Sequence, residues 1–232
     1  MFDIEYGGQR ASALGVRVAK RPDMPVPERN ITETQIAGRD GSLIESDGTY
    51  ADIEIEIEMN FIQRPKNWGM SFRKIKGWLL SAEKKELKFS DDPNVFYKVK
   101  NVFLDTIERQ VRQSGEFTAA FLCEPYTFME EGKFPFSPGN QVYNPYLIAK
   151  PVYQITGNGL CVLTVNGKSM QAEIGQNLTI DTERMLSYRQ DDTIINTTVA
   201  GDYEDLWLAE GENTITVTNG FGLTMIPNWR CL

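Results

Sequence analysis

The sequence predicts a mainly β protein, and three observations predict it. Residues 53–61 alternate strictly, with Ile53, Ile55, Ile57, Met59 and Phe61 on one side and Glu54, Glu56, Glu58 and Asn60 on the other. That is the period of a strand with one buried face. Nineteen glycines and eleven prolines are scattered along 232 residues, which cuts the chain into short segments joined by turns. One stretch alone carries a helical period.

Taken in order, residues 26–50 read as a strand broken by glycine turns. Gly38 and Gly41 bracket Arg39-Asp40, and Asp47-Gly48 reads as a second turn before the alternating run. After that run, Trp68, Phe72, Ile75 and Leu79 recur at spacings of four, three and four. They predict a helix over 67–82 that crosses a sheet, with Asn67 as N-cap and Trp78 widening the apolar stripe. The stretch 96–107 is rich in β-branched and aromatic residues, and Phe117, Ala119, Phe121 and Cys123 alternate again. Phe134-Pro135-Phe136-Ser137-Pro138-Gly139-Asn140, continuing to Asn144-Pro145, reads as a linker. The expected domains are therefore 1–133, N-terminal and sandwich-like with one helix, and 146–232, with 134–145 between them. Beyond the linker, strands are expected at 152–156, 160–165, 177–180, 185–188, 194–199, 213–218 and 223–226. Asn166-Gly167 supplies a hairpin signal, and the close spacing is that of an antiparallel β-sandwich.

Composition excludes much chemistry. With no histidine, neither a Ser-His-Asp nor a Cys-His site can be built, nor a His-ligated metal centre. Cys123, Cys161 and Cys231 are far apart and odd in number, so they read as reduced thiols packed as small hydrophobes. Up to Lys133 there are 19 basic against 22 acidic residues, and afterwards 5 against 10. An excess of acid argues against a phosphate-binding face, so no specific nucleic-acid binding is expected. The cations Arg73, Lys74, Lys76, Lys84 and Lys85 read as a solvated helix face. No apolar run is long enough for a bilayer, and Met1-Phe2-Asp3-Ile4-Glu5 lacks the basic start of a secretion signal. Neither membrane association nor glycosylation is expected. The acid pairs Asp91-Asp92 and Asp191-Asp192 read as turns that cap their own backbone, and neither a metal nor a cofactor is predicted.

The segment from Pro27 to Leu43, with its Gly-Arg-Asp-Gly turn, followed by Gly48-Thr49-Tyr50, resembles the start of the distal tail (Dit) protein family of siphophages and prophages. The resemblance continues in order through residues 87–93, Leu-Lys-Phe-Ser-Asp-Asp-Pro, and 121–126, Phe-Leu-Cys-Glu-Pro-Tyr. It implies a galectin-like C-terminal sandwich, and residues 208–215 look like the turn and strand near the end of such a domain. It also implies a non-enzymatic hub, a homo-hexameric ring at the distal end of the virion tail, assembled in the host cytoplasm. The ring would join the major tail tube protein to a tail-associated or tail-tip protein. The closely spaced strands after residue 150 leave no room for a large arm, so direct docking of receptor-binding proteins is doubtful. DNA would pass through a ring whose acidic character keeps it from sticking. Arg29, Gly38, Arg39, Asp40 and Gly41 are the candidate ring-interface or turn residues.

Two other classes compete. A carbohydrate-binding module for host-surface adhesion would use Trp207 and Trp229 as platforms, yet the histidine, asparagine and arginine set of galectins is not matched. A carboxylate-driven hydrolase would need two acids converging in one cleft, and nothing in the linear order supports that convergence.

Overall fold

A computed structural model of the chain describes residues 2–105 and 114–232. The chain divides into two compact units, Met1–Thr127, joined by Leu232, and Phe128–Cys231. Ile107, the last residue of the stretch 96–107, lies outside the described residues.

The first unit contains β1 (Ile4–Tyr6), β2 (Gln9–Arg10), β3 (Val16–Val18), β4 (Arg29–Gln35), β5 (Ser42–Tyr50), β6 (Ile53–Ile62), helix α1 (Trp68–Leu80), β7 (Glu86–Phe89), β8 (Asp92–Leu104) and β9 (Ser114–Met129). Its main sheet runs β2-β1-β7-β8-β9-β6-β3. β6 and β9 pair antiparallel over ten residues, Ile53 opposite Cys123, Ile57 opposite Ala119 and Phe61 opposite Gly115. Residues opposite each other share a face, so the apolar set expected from period two is buried as one layer. The register fixes one glycine. A Cβ at Gly115 would sit 2.4 Å from the Phe61 ring, so the aromatic side chain fits only because its partner has none.

α1 covers that layer with Ile75, Trp78 and Leu79, while Trp68 and Phe72 pack at its margin. Trp78 donates its indole N–H to the Tyr6 carbonyl at 2.8 Å, which satisfies the polar atom that burial of a tryptophan brings with it. Asn67 stands at the N-cap position, but its side chain makes no cap bond. Its backbone carbonyl accepts from the N–H groups of Met70 and Ser71 instead.

β4 and β5 form a separate two-stranded sheet. Gly38 and Gly41 adopt φ of 81° and 80° in the turn, and Arg39 N–H closes it on the Ile36 carbonyl. Asp47-Gly48, expected as a second turn, lies inside β5. The Asp47 carboxylate accepts from the Thr49 N–H and hydroxyl at 2.9 and 2.7 Å, and the pairing shifts between Arg29 and Ile31. The Asx interaction bends a continuous strand rather than ending it.

The second unit contains β10 (Gln141–Asn144), β11 (Val152–Val165), β12 (Lys168–Asp181), β13 (Leu186–Tyr188), β14 (Val199–Ala200), β15 (Gly211–Val217), β16 (Gly222–Ile226) and β17 (Arg230–Cys231). Its sheet runs β10-β15-β11-β12-β13, with β14 on β12 and β16 on β11. β11 and β12 form one hairpin through Asn166 and Gly167, whose φ of 50° and 83° match a type I′ turn. The two strands expected at 152–156 and 160–165 are halves of β11, separated by Gly157 and Gly159 at φ of 153° and 106°. β16 pairs with the first half and β15 with the second. Tyr153 and Ile155 from one half and Leu163 and Val165 from the other reach the same core.

Two expectations differ in this unit. The segment 134–145 includes β10, paired to β15, and Phe136 bridges to Met225. Asn144, fully buried, donates to the carbonyls of Leu147, Leu208 and Ala209, contacts that composition cannot reveal. Residues 194–199 form a bridge at Ile194 and a short 3-10 turn over Asn196–Thr198 rather than a strand.

Two stability outcomes follow from this packing. Gly115→Val should destabilise the chain by about 3 kcal/mol, since the added side chain must displace a buried ring; equal denaturant midpoints for the two proteins would refute the assigned register. A fragment starting at Phe128 should melt cooperatively and above one starting at Tyr146, which lacks β10 and the Asn144 bonds. Calorimetry showing the reverse order would make the segment dispensable.

Candidate assembly surface

The clefts differ in their charged groups: one of 310 Å³ gathers Lys20, Arg21, Asp23 and the exposed, outward glutamates of β6, Glu54, Glu56 and Glu58. A cleft of 490 Å³ beside Phe2 and Val16 has Asp3 and Arg17 as its charged residues. The Asp3 carboxylate accepts from the Ser12 hydroxyl and from the N–H groups of Ile4 and Ser12, so it is engaged in local structure. Among the described residues no three His, Cys, Asp or Glu side chains are grouped to hold a metal. Asp191 caps Thr193 N–H, and bonds from Thr193 hold its carboxyl below the usual value. Asp91 faces Arg21 at 3.6 Å.

Burial likewise silences the thiols. Cys123 is enclosed, and desolvation first, then the nearby Asp52 and Glu124 carboxylates, push its thiol up to about 12. Desolvation also raises Cys161. None of the three cysteines is in a disulfide among the described residues.

The hairpin β4–β5 is the unusual surface. Every residue of β4 is exposed, as is most of β5. Cross-strand pairing places Glu33 opposite Ile44 and Ile31 opposite Ser46 on one face, and Thr32 opposite Glu45 and Thr34 opposite Leu43 on the other. Ile31, Ile36 and Ile44 are exposed by 50, 42 and 59 %.

The candidate interface residues separate into two places. Arg29 lies at the base, where its guanidinium donates to the Tyr50 hydroxyl at 3.3 Å and stands 5.6 Å over the Tyr50 ring. Tyr50 in turn meets Tyr126 edge-on at 6.2 Å, which ties the ribbon to β9. Gly38, Arg39, Asp40 and Gly41 lie at the tip, about 20 Å away along β4, with all four exposed. Sequence reasoning missed Tyr50 and Tyr126 as anchors. The signal was an aromatic at each end of the two segments that carry the family resemblance, but cross-strand proximity is not visible in linear order.

The two tryptophans also differ from the expectation of a paired platform. Trp229 is 9 % exposed in the second core, beside Tyr146, and its backbone N lies 2.5 Å from where a Cβ on Gly132 would stand. It has no free face for a sugar. Trp207 is half-buried, donates its indole N–H to the Thr182 carbonyl and lies 4.6 Å beneath the Lys150 ammonium.

With this geometry in view, comparison with known proteins is informative. Residues 17–123 match the family described as the phage tail protein RIFT-related domain. The whole chain superposes on the Dit protein of phage SPP1, described as a paradigm of the hub adsorption apparatus in phages that infect Gram-positive bacteria, with a TM-score of 0.74, 15 % identity and full coverage of both chains. The chain has the Dit fold. Its segment 17–123, similar to the phage tail family, includes the hairpin, α1 and the buried β6–β9 pair. No curated protein sequence matches it.

The Cys123 environment predicts a pH effect. An unfolded thiol ionises near its ordinary 9.0, whereas the folded one holds its proton to about 12. The thiol's contribution to stability should therefore be constant below pH 9 and be lost as pH rises from 9 towards 12. Urea midpoints of wild type and Cys123→Ala should converge as pH goes from 8 to 10.5; parallel declines would show that the thiol contributes nothing.

Proposed function

We propose that this chain is a phage tail hub subunit that assembles into a six-membered ring at the distal end of the tail, between the tail tube protein and a tail-tip protein. The hairpin carries this reading. A two-stranded ribbon is marginal in water by itself, and this one exposes three isoleucines on a long unpaired edge, a liability that proteins normally cover. Closed head-to-tail assembly covers it in every copy at once, since each subunit offers two different surfaces to its neighbours. The match of residues 17–123 to a phage tail family and the Dit fold support the same role.

Arg39 and Asp40 at the hairpin tip and Arg29 at its base are the proposed interface and anchoring positions, with Gly38 and Gly41 shaping the turn. The second unit faces outward in this reading, and Trp207 with Lys150 is the position left there for a partner contact. The acidic excess of the chain suits a ring through which DNA passes without adhering.

Light scattering and negative-stain microscopy should show six-fold rings, alone or with tail partners. Arg39→Glu should raise the concentration needed for assembly at least tenfold and leave the circular dichroism unchanged, since the residue is exposed and forms no ion pair among the described residues. A protein that stays monomeric with every tail partner would refute the ring.

A further inference from the structure

The helix α1 has a second, outward row. Met70, Arg73, Gly77 and Leu80 follow one another at spacings of three, four and three, which aligns them on one face, opposite the buried Ile75, Trp78 and Leu79. Lys74 and Lys76 flank the row. Met70 and Leu80 are exposed by 49 and 50 %, and neither Arg73, Lys74 nor Lys76 forms an ion pair among the described residues. Gly77 is harder to explain within the chain. It lies in mid-helix, where glycine costs about 1 kcal/mol against alanine, yet a Cβ there would meet nothing within 4 Å. A close approach by something outside the chain accounts for it.

The hairpin is the chemical counterpart of that row. Its Ile31 face sets Glu33 between Ile31 and the cross-strand Ile44, an acid between apolar side chains, where the helix sets a cation between Met70 and Leu80. Residues 29–50 hold two cations and four acids, whereas residues 64–85 hold seven cations and one acid.

We propose that the Met70–Arg73–Gly77–Leu80 row of one copy seats the β4–β5 hairpin of the next, with Glu33 against Arg73 and Lys74 and the isoleucines over Gly77. The inference rests on the ring reading and assigns its contact. Donor and acceptor surfaces are different patches of the same chain, so the contact is heterologous and propagates until the ring closes. Opposite charge selects this pairing over helix-to-helix or hairpin-to-hairpin association.

The test uses the full chain and analytical ultracentrifugation, with thermal melts to report folding. Arg73→Glu/Lys74→Glu, and separately Glu33→Lys, should each raise the half-assembly concentration at least tenfold. Mixing the two proteins should restore rings, because each reversed surface then meets its complement on alternate subunits. Gly77→Leu should fold as well as wild type or better and still lose the ring. If the helix reversal does not fold, Gly77→Leu alone decides. Rings that form undiminished in the helix and glycine variants would overturn this contact while leaving the ring intact. Loss without rescue in the mixture would show that the row seats something other than the hairpin. A wild type that never assembles would overturn the ring reading and this contact with it.

Discussion

The pairing of β6 with β9 is the constraint from which the first unit follows. Ten consecutive cross-strand pairs put every apolar residue of Ile53–Phe61 on one face, and a slip of one residue would turn all of them to solvent. That layer gives α1 a surface to cover and so fixes which face of the helix points outward. It also fixes the hairpin, because β5 ends at Tyr50 only three residues before β6 begins. The ribbon is held at its root by Arg29, Tyr50 and Tyr126 and left uncovered along its length.

A stable core and an uncovered ribbon are complementary features of an assembling protein. Apolar side chains that the monomer cannot bury gain their share of hydrophobic stabilisation, about 25 cal/mol per Å², only when a neighbour covers them. In the proposed ring, the hairpin's acids and the helix's cations would decide which surfaces meet, since like charges facing each other are costly. The second unit carries no comparable two-stranded ribbon. Its buried polar groups tie distant segments together, Asn144 to the carbonyls of Leu208 and Ala209 and the Tyr153 hydroxyl to the Leu206 carbonyl.

Sequence periodicity was sufficient for β6, α1 and the Asn166-Gly167 hairpin. The first half of β12 was passed over although Met170, Ala172 and Ile174 alternate with Gln171 and Glu173, because Ala172, Glu173 and Gly175 are poor strand formers. Asp47-Gly48 misled because the residues that make a turn also make a bulge. Proline and glycine between 134 and 145 read as a linker because pairing of β10 with β15 is a contact across some seventy positions. For the candidate surface, the Gly-Arg-Asp-Gly tip was legible as a turn, but the anchors and the two-faced ribbon needed the register. The absence of histidine removed enzyme classes without any structure, whereas the burial of Trp229 could come only from the fold.

The central claim is that β4–β5 is an assembly element rather than a decoration of the monomer. Hydrogen exchange of its amides, followed by mass spectrometry below and above the assembly concentration, tests it directly. The account predicts rapid exchange across residues 29–50 in the monomer and protection of that hairpin, together with α1, on assembly, while β6 and β9 stay protected throughout. Equal exchange of the hairpin in monomer and ring would contradict it.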